Sequence, residues 1–182
     1  RTAIADDSSE AHRFREAMQE VKGQTDESYR FIEAYRQAEA AENRAVTAEV
    51  RRNFARSAQY YQEATQLYRQ SIDRRKQQIE GIHTLLENYR QALEQEDLER
   101  LKSYQIGRFR EEFEATWSRF FRAVSNLRVT MNARSLTFRS GGVRAEVEVQ
   151  MHYSGAQGGN TPNTWHIELV ESAAGIWRVA HH

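Results

Sequence analysis

The spacing of apolar side chains changes once along the chain, and this change divides the sequence into two parts. Up to about Val124, apolar residues recur three and four positions apart, which is typical of one face of a helix. After that point they alternate with polar residues, which is typical of a half-buried strand. The clearest alternation places on one side Val143, Ala145, Val147, Val149 and Met151. We therefore predict helices followed by a sheet.

Three helices are predicted in the first part. The first runs from about Ser9 to Lys22 and the second from about Asp26 to Ala45. The third keeps one apolar stripe over residues 47–95, and at about 1.5 Å per residue it would be about 70 Å long. Gly81 within it costs only about 1 kcal/mol relative to alanine, so we expect a continuous or gently kinked helix. A break is most compatible with Arg75, whose charge interrupts the stripe.

A further helix and four strands are predicted in the second part. The helix carries aromatic residues at helical spacing between Phe109 and Val124. The predicted strands are Leu127–Phe138, Val143–His152, Trp165–Leu169 and Ile176–Ala180. Because short turns connect them, we expect an antiparallel sheet with one face against helices. The predicted fold class is α+β, with a helical hairpin or bundle over residues 1–80, a long connecting helix, and an α+β domain over residues 81–182.

Composition excludes several classes of function. Lys and Arg number 26 and Asp and Glu number 26, so the whole-chain charge gives no reason to expect nucleic-acid binding. The absence of cysteine excludes thiolate chemistry and disulfides. Since no run of about 18 apolar residues occurs, we expect no direct membrane insertion. The start at Arg1 suggests a fragment with an anchor or domain upstream, and His181 and His182 are set aside as a possible purification tag.

Two short motifs carry a resemblance to a known family. Tyr89–Glu94, followed by Asp97-Leu98 and Leu101, resembles the first-helix pattern of nuclear transport factor 2-like domains, the SnoaL and ketosteroid-isomerase-like cones. The closing segment Gly175–Val179 resembles the last strand of that family. The resemblance covers residues 82–182 and implies a cone-shaped antiparallel sheet wrapped on helices around an apolar pocket.

The first half has a looser resemblance, to alanine-rich helical segments before such domains in bacterial envelope and signalling proteins. Some of these regions follow a receptor-type kinase. This favours the extracytoplasmic part of an envelope protein, although the compartment stays open. Tyr60, Tyr61 and Tyr68 either pack the helical bundle or form a partner-binding face, and packing is the preferred interpretation.

The resemblance implies a catalytic hypothesis that the residues support poorly. Tyr89 matches the oxyanion-stabilising tyrosine of the steroid isomerases of this fold. Those enzymes also need a carboxylate base, yet residues 103–107 contain no Asp, Glu or His. His166 and Glu168 lie near a second acidic position of that family, but strand alternation puts both on the polar face. We therefore predict no catalytic residue, and keep an isomerase or dehydratase with Tyr89 and His166 or Glu168 as the alternative.

The remaining candidates concern binding. Five aromatic or aliphatic residues are expected either to line a pocket or to form part of an ordinary hydrophobic core. They are Tyr89, Trp117, Phe121, Met151 and Trp165. The histidines lack metal-ligand spacing and no phosphate loop occurs, so we predict neither metal nor cofactor. The predicted function is a non-enzymatic accessory module of a larger bacterial protein that binds a small apolar ligand or a protein partner. A homodimer is also predicted, through the polar strand face that carries Glu146, Glu148 and Gln150 opposite Arg144 and Arg128.

Overall fold

The structure is a computed structural model that describes residues 2–106, 109–155, 162–173 and 175–181. Its helices are α1 (Thr2–Lys22), α2 (Glu33–Val50), α3 (Phe54–Glu94), α4 (Leu98–Ser103) and α5 (Phe109–Ala123), with a 3-10 helix at Glu27–Phe31. Its strands are β1 (Ser125–Arg139), β2 (Gly142–Ser154), β3 (Asn163–Ala173) and β4 (Ile176–His181). Helices are thus followed by an antiparallel sheet, which confirms the predicted α+β class.

The chain divides into two compact units, Arg1–Gln77 and Gln78–His182, against a predicted division after residue 80. The boundary falls within α3, which therefore belongs to both units. Each unit has its own hydrophobic core. The second core is built from α3, α4, α5 and the inner face of the sheet.

The first unit is packed around small and aromatic side chains. On α2, Ala38, Ala41 and Ala45 are fully buried, so neighbouring backbones approach closely along this face. Tyr61 and Tyr68 of α3 are also fully buried in the same cluster. The preferred interpretation, bundle packing, is therefore confirmed for Tyr61 and Tyr68, whereas Tyr60 is only partly buried against the same cluster.

Two hydrogen-bonded clusters join the three helices of this unit. The two oxygens of Glu49 on α2 accept hydrogen bonds from Arg15 of α1, at 3.0 Å, and from the Tyr61 hydroxyl of α3, at 2.8 Å. Each partner comes from a different helix, so the carboxylate fixes their mutual register. The arrangement recurs one heptad away. There, one oxygen of Glu42 accepts hydrogen bonds from Lys22, at 2.8 Å, and from the Tyr68 hydroxyl, at 2.6 Å.

Several predicted helix boundaries are wrong, beginning with that of the first helix, which starts at Thr2 and not near Ser9. The third helix begins at Phe54 and not near residue 47, because Arg52 adopts φ 57° and reverses the chain after α2. The second predicted helix is divided at Ile32, whose extended backbone separates the 3-10 helix from α2.

The break considered at Arg75 does not occur, and α3 is continuous there. The guanidinium of Arg75 is buried and donates a hydrogen bond to the Ser28 carbonyl at 2.9 Å.

The four strands of the second unit form one open antiparallel sheet in the order β1-β2-β3-β4. Residues of β2 alternate as predicted, so that Val143, Ala145 and Val147 are buried while Arg144 and Glu146 are exposed. The sheet does not close on itself. Its inner face packs on α3, α4 and α5, and this concave side holds the candidate site.

Strand β1 lies at one edge of the sheet and is held by a side chain of α3. Glu94 accepts a hydrogen bond from the Val129 backbone N–H at 2.9 Å, and Arg90 pairs with Glu94 at 2.9 Å. This backbone hydrogen bond is the main reason that the pKa of Glu94 is lowered, and Arg90 contributes further. The carboxylate therefore replaces the strand partner that Val129 lacks on this edge.

Candidate functional site

A cavity of about 280 Å³ lies between α5 and the inner face of the sheet. Its lining comes from α5, β2 and β3, and consists of Thr116, Trp117, Phe120, Val149, Met151, Tyr153, Asn163 and Trp165. No Asp, Glu, His, Lys or Arg is among these described lining residues. The wall is therefore neutral and mostly apolar, and its polar groups are one amide, two hydroxyls and two indole N–H groups.

The sheet register explains why the cavity forms at this position. Pairing between β2 and β3 ends at Val149 and Asn163, whereas β2 continues with Met151 and Tyr153. Among the described residues, the strand partner of Met151 is Val129 of β1. Because strand side chains alternate, Met151 and Tyr153 point to the same inner face as Val149 but lie beyond the last described β3 pair.

An aromatic cluster forms the α5 wall, since residues spaced three and four apart share one helix face. The ring of Trp117 lies 6.0 Å from that of Trp165 across the cavity wall and 5.6 Å from that of Phe120. Phe120 in turn meets Tyr153 edge to face, with centroids 5.2 Å apart and planes at 90°. Tilted and edge-on arrangements of this kind are the ones that aromatic pairs prefer, so the cluster forms a well-packed aromatic wall.

The structure brings three of the five predicted ligand-binding residues together. Trp117, Met151 and Trp165 line the cavity. Phe121 packs against Trp117 at 5.7 Å between ring centroids and supports the wall without lining it. Tyr89 is buried behind Trp165, with centroids 6.4 Å apart and planes at 85°, so it too lies outside the lining set.

Tyr89 and Gln105 form a buried polar pair beside this cluster. The Gln105 side-chain amide donates to the Tyr89 hydroxyl at 3.1 Å, and both residues are buried. Burial raises the pKa of Tyr89, and the hydrogen bond from Gln105 offsets only part of that rise. Tyr89 therefore stays a neutral phenol at physiological pH.

The groups named for the catalytic alternative lie apart from Tyr89. His166 and Glu168 are on the outer face of β3, with side chains 52% and 44% exposed. His166 is 3.8 Å from Glu146, and Glu168 is 3.9 Å from Arg144, so both have partners on that face. Residues 103–106 carry no acid or histidine, and Gly107 lies outside the described residues.

Five lining residues were not among the predicted site residues, although three had a signal. Val149 shares the alternation of Met151, and Phe120 follows Trp117 at helical spacing, so both could have been inferred from spacing alone. Tyr153 continues the same strand by two positions. Thr116 and Asn163 carried no signal, because their place depends on where β3 starts relative to α5.

The described residues also bear on metal sites and membrane spans. Among them, no three His, Asp or Glu side chains gather as a metal ion would require. In the same part of the chain, no helix combines the length and apolarity needed to cross a bilayer.

Comparison with models of protein families, with curated proteins and with solved structures finds no match to this chain. The site must therefore be interpreted from its own geometry.

Proposed function

We propose that the second unit is a non-enzymatic binding domain for a small, neutral, apolar molecule, within an accessory module of a larger bacterial protein. The observation that carries this proposal is the cavity between α5 and the sheet, whose lining is aromatic and aliphatic with a few neutral polar groups. Ligand pockets in proteins are commonly concave, largely apolar and equipped with a few polar groups that orient the ligand.

The electrostatics of the cavity support a neutral ligand over a charged one. A charged ligand in an apolar site needs a compensating charge, because burying an unpaired ion is costly. The described lining carries no charged side chain, and its polar groups are those of Asn163, Thr116 and Tyr153 together with the indole N–H groups of the two tryptophans. An uncharged molecule with one hydroxyl, carbonyl or ether group suits this lining.

The resemblance to nuclear transport factor 2-like domains supports the same proposal. Helices followed by an antiparallel sheet with an apolar cavity between them suit that family, and the proposal assigns residues 82–182 to it. The alternative of an isomerase or dehydratase has less support, because His166 and Glu168 lie on the exposed face while the cavity is on the inner face.

A fluorescent probe tests ligand binding directly. N-phenyl-1-naphthylamine is neutral and apolar, and its emission rises when it leaves water. We expect saturable binding of one probe to the chain, with quenching of Trp117 and Trp165 on the cavity wall. The substitution Met151→Trp should fill the cavity and abolish binding.

The matched control is His152→Trp, which adds the same side chain to the next residue of β2 on the exposed face. We expect this variant to bind the probe like the unsubstituted chain. Far-ultraviolet circular dichroism and thermal melting establish that both variants are folded. Equal binding by the two variants would show that the probe binds elsewhere and would remove the proposal.

We also propose a homodimer that forms through the outer face of the sheet. The charges on that face already form cross-strand pairs, including Arg144 with Glu168 and Glu146 with His166. A dimer would have to keep or exchange these pairs. Light scattering at micromolar concentrations tests it, and a monomer mass throughout that range would remove it.

A further inference from the structure

A second concave site lies in the first unit, where α2 ends and α3 begins. It is a cleft of about 530 Å³. The residues that line it are Asn43, Arg44, Thr47, Ala48, Arg51, Asn53, Arg56 and Tyr60. Three of the eight are arginines and none is acidic. This composition is unlike that of the whole chain, in which basic and acidic residues balance at 26 each.

Two acidic residues on the helices that form the cleft already have hydrogen-bond partners. Glu49 bonds to Arg15 and Tyr61, and Glu63 bonds to Arg44 at 3.0 Å. Within the described part of the chain, no carboxylate forms an ion pair with Arg51 or Arg56. The cleft therefore has two guanidinium groups whose charge is not neutralised by the protein.

Tyr60 holds two of the arginines at the cleft. The guanidinium carbons of Arg44 and Arg56 lie 5.1 and 5.9 Å from the centre of its ring. Cation–π contacts attract both groups to the ring, although like charges repel each other. A bound anion between them would relieve that repulsion, and the ring reduces the side-chain entropy lost on binding.

Asn53 adds a neutral donor to the cleft. Its side-chain oxygen accepts from the Arg56 backbone N–H at 3.2 Å, as an N-cap of α3 does. Because that bond fixes which end of the amide is the oxygen, the amide NH₂ remains as a donor. Asn53 and Arg56 also place the cleft at the N-terminus of a long helix, whose dipole favours negative charge.

We propose that this cleft binds a small phosphate-bearing anion, with Arg51 and Arg56 as its principal ligands and Arg44 and Asn53 as supporting donors. Guanidinium groups offer paired N–H donors that match phosphate oxygens in bidentate geometry. The concave form suits a free anion better than a lipid headgroup held in a flat bilayer surface. This site is independent of the apolar cavity of the second unit.

Calorimetric titration of the full chain with inorganic pyrophosphate at low ionic strength tests the proposal. We expect saturable binding that weakens as sodium chloride is added, because the site is open to solvent and salt screens exposed charges. The double variant Arg51→Gln, Arg56→Gln should weaken binding by at least about tenfold, since hydrogen bonds to charged groups are among the strongest in proteins.

The control variant is Arg69→Gln, which removes an exposed arginine of the same helix that does not line the cleft. It should change the dissociation constant by less than about twofold, because it leaves every donor of the site in place. Arg56→Lys keeps the charge but loses the fork geometry, so it should weaken binding by an intermediate factor even if the double variant fails to fold.

Three results would overturn the proposal. The first is the absence of saturable pyrophosphate binding to the unsubstituted chain at millimolar concentration. The second is equal weakening by Arg69→Gln and by the cleft variants, which would indicate nonspecific attraction. The third is sedimentation with phosphatidylglycerol vesicles without pyrophosphate binding, which would assign the arginines to a lipid surface instead.

Discussion

Whether replacing Gly81 by alanine raises or lowers the stability of the protein depends on what surrounds this residue. On an exposed helix, replacing glycine by alanine stabilises by about 1 kcal/mol. Here a Cβ on residue 81 would lie 2.8 Å from Cδ1 of Trp177 and 3.0 Å from the Gly175 carbonyl oxygen. Trp177 is only 5% exposed and the second contact is with backbone, so neither group can move away easily.

The expected effect follows from these two opposing contributions. Overpacking a filled core costs about 1 to 3 kcal/mol, and two simultaneous close contacts favour the upper half of that range. Subtracting the helix gain of about 1 kcal/mol leaves a net destabilisation of about 1 to 2 kcal/mol for Gly81→Ala. For a unit of this size, that corresponds to a fall in melting temperature of about 4 to 16 °C.

Urea unfolding followed by tryptophan fluorescence is the assay, because Trp117, Trp165 and Trp177 all lie in the second unit. Thr84→Ala, an exposed substitution on the same helix, serves as the control and should be neutral or slightly stabilising. In a Trp177→Leu background, Gly81→Ala should cost less, since the nearest atom is gone. If Gly81→Ala instead stabilised the unit by about 1 kcal/mol, the close approach of helix and strand would be refuted.

Two further predictions concern buried carboxylate contacts. Tyr61→Phe removes the hydrogen bond to Glu49 and should cost about 1 to 2 kcal/mol in urea unfolding followed by circular dichroism. Burial, reinforced by Glu49, raises the pKa of Tyr61 to about 12, so its stabilisation is complete below pH 10 and disappears toward pH 12. The variant should therefore lose less stability over that interval, and an equal loss would contradict the argument. Glu94→Gln should destabilise by about 1 to 2 kcal/mol at pH 7. Because the pKa of Glu94 is lowered from 4.5, the unsubstituted chain should lose stability as the pH falls below that value. The variant should lose less stability in calorimetry. Identical acid profiles would count against the hydrogen bond from Val129 to Glu94.

The strands were predictable because burial on one face leaves a period of two in the sequence. Val143–His152 lies within β2, and the predicted inner and outer faces are confirmed. The end of α2 was not predictable in the same way. Arg52 takes a left-handed conformation that usually calls for glycine, and Val50 and Phe54 keep helical spacing across the turn. The local pattern therefore predicted a boundary between the two helices but placed it several residues too early.

Contacts between distant residues explain the other differences. Arg75 looked like a break in the apolar stripe. In the structure its guanidinium lies over the ring of Tyr29 and donates a hydrogen bond to the Ser28 carbonyl, and both partners are at least 46 positions away along the chain. Similarly, Tyr89 was expected at the pocket, but it is buried next to Trp165 of β3 and is not among the lining residues. Such pairings depend on tertiary packing, and helical or strand periodicity does not encode them.

The most direct test of the central claim is methyl NMR of the methionines during titration with naphthalene. The chain has three methionines, of which Met151 lines the cavity and Met18 is buried in the first unit. We predict a saturable shift of the Met151 methyl signal from the ring current of the bound ligand, with no change at Met18. A Met151 signal that stays constant, or moves only in step with Met18, would contradict the account of an apolar binding cavity.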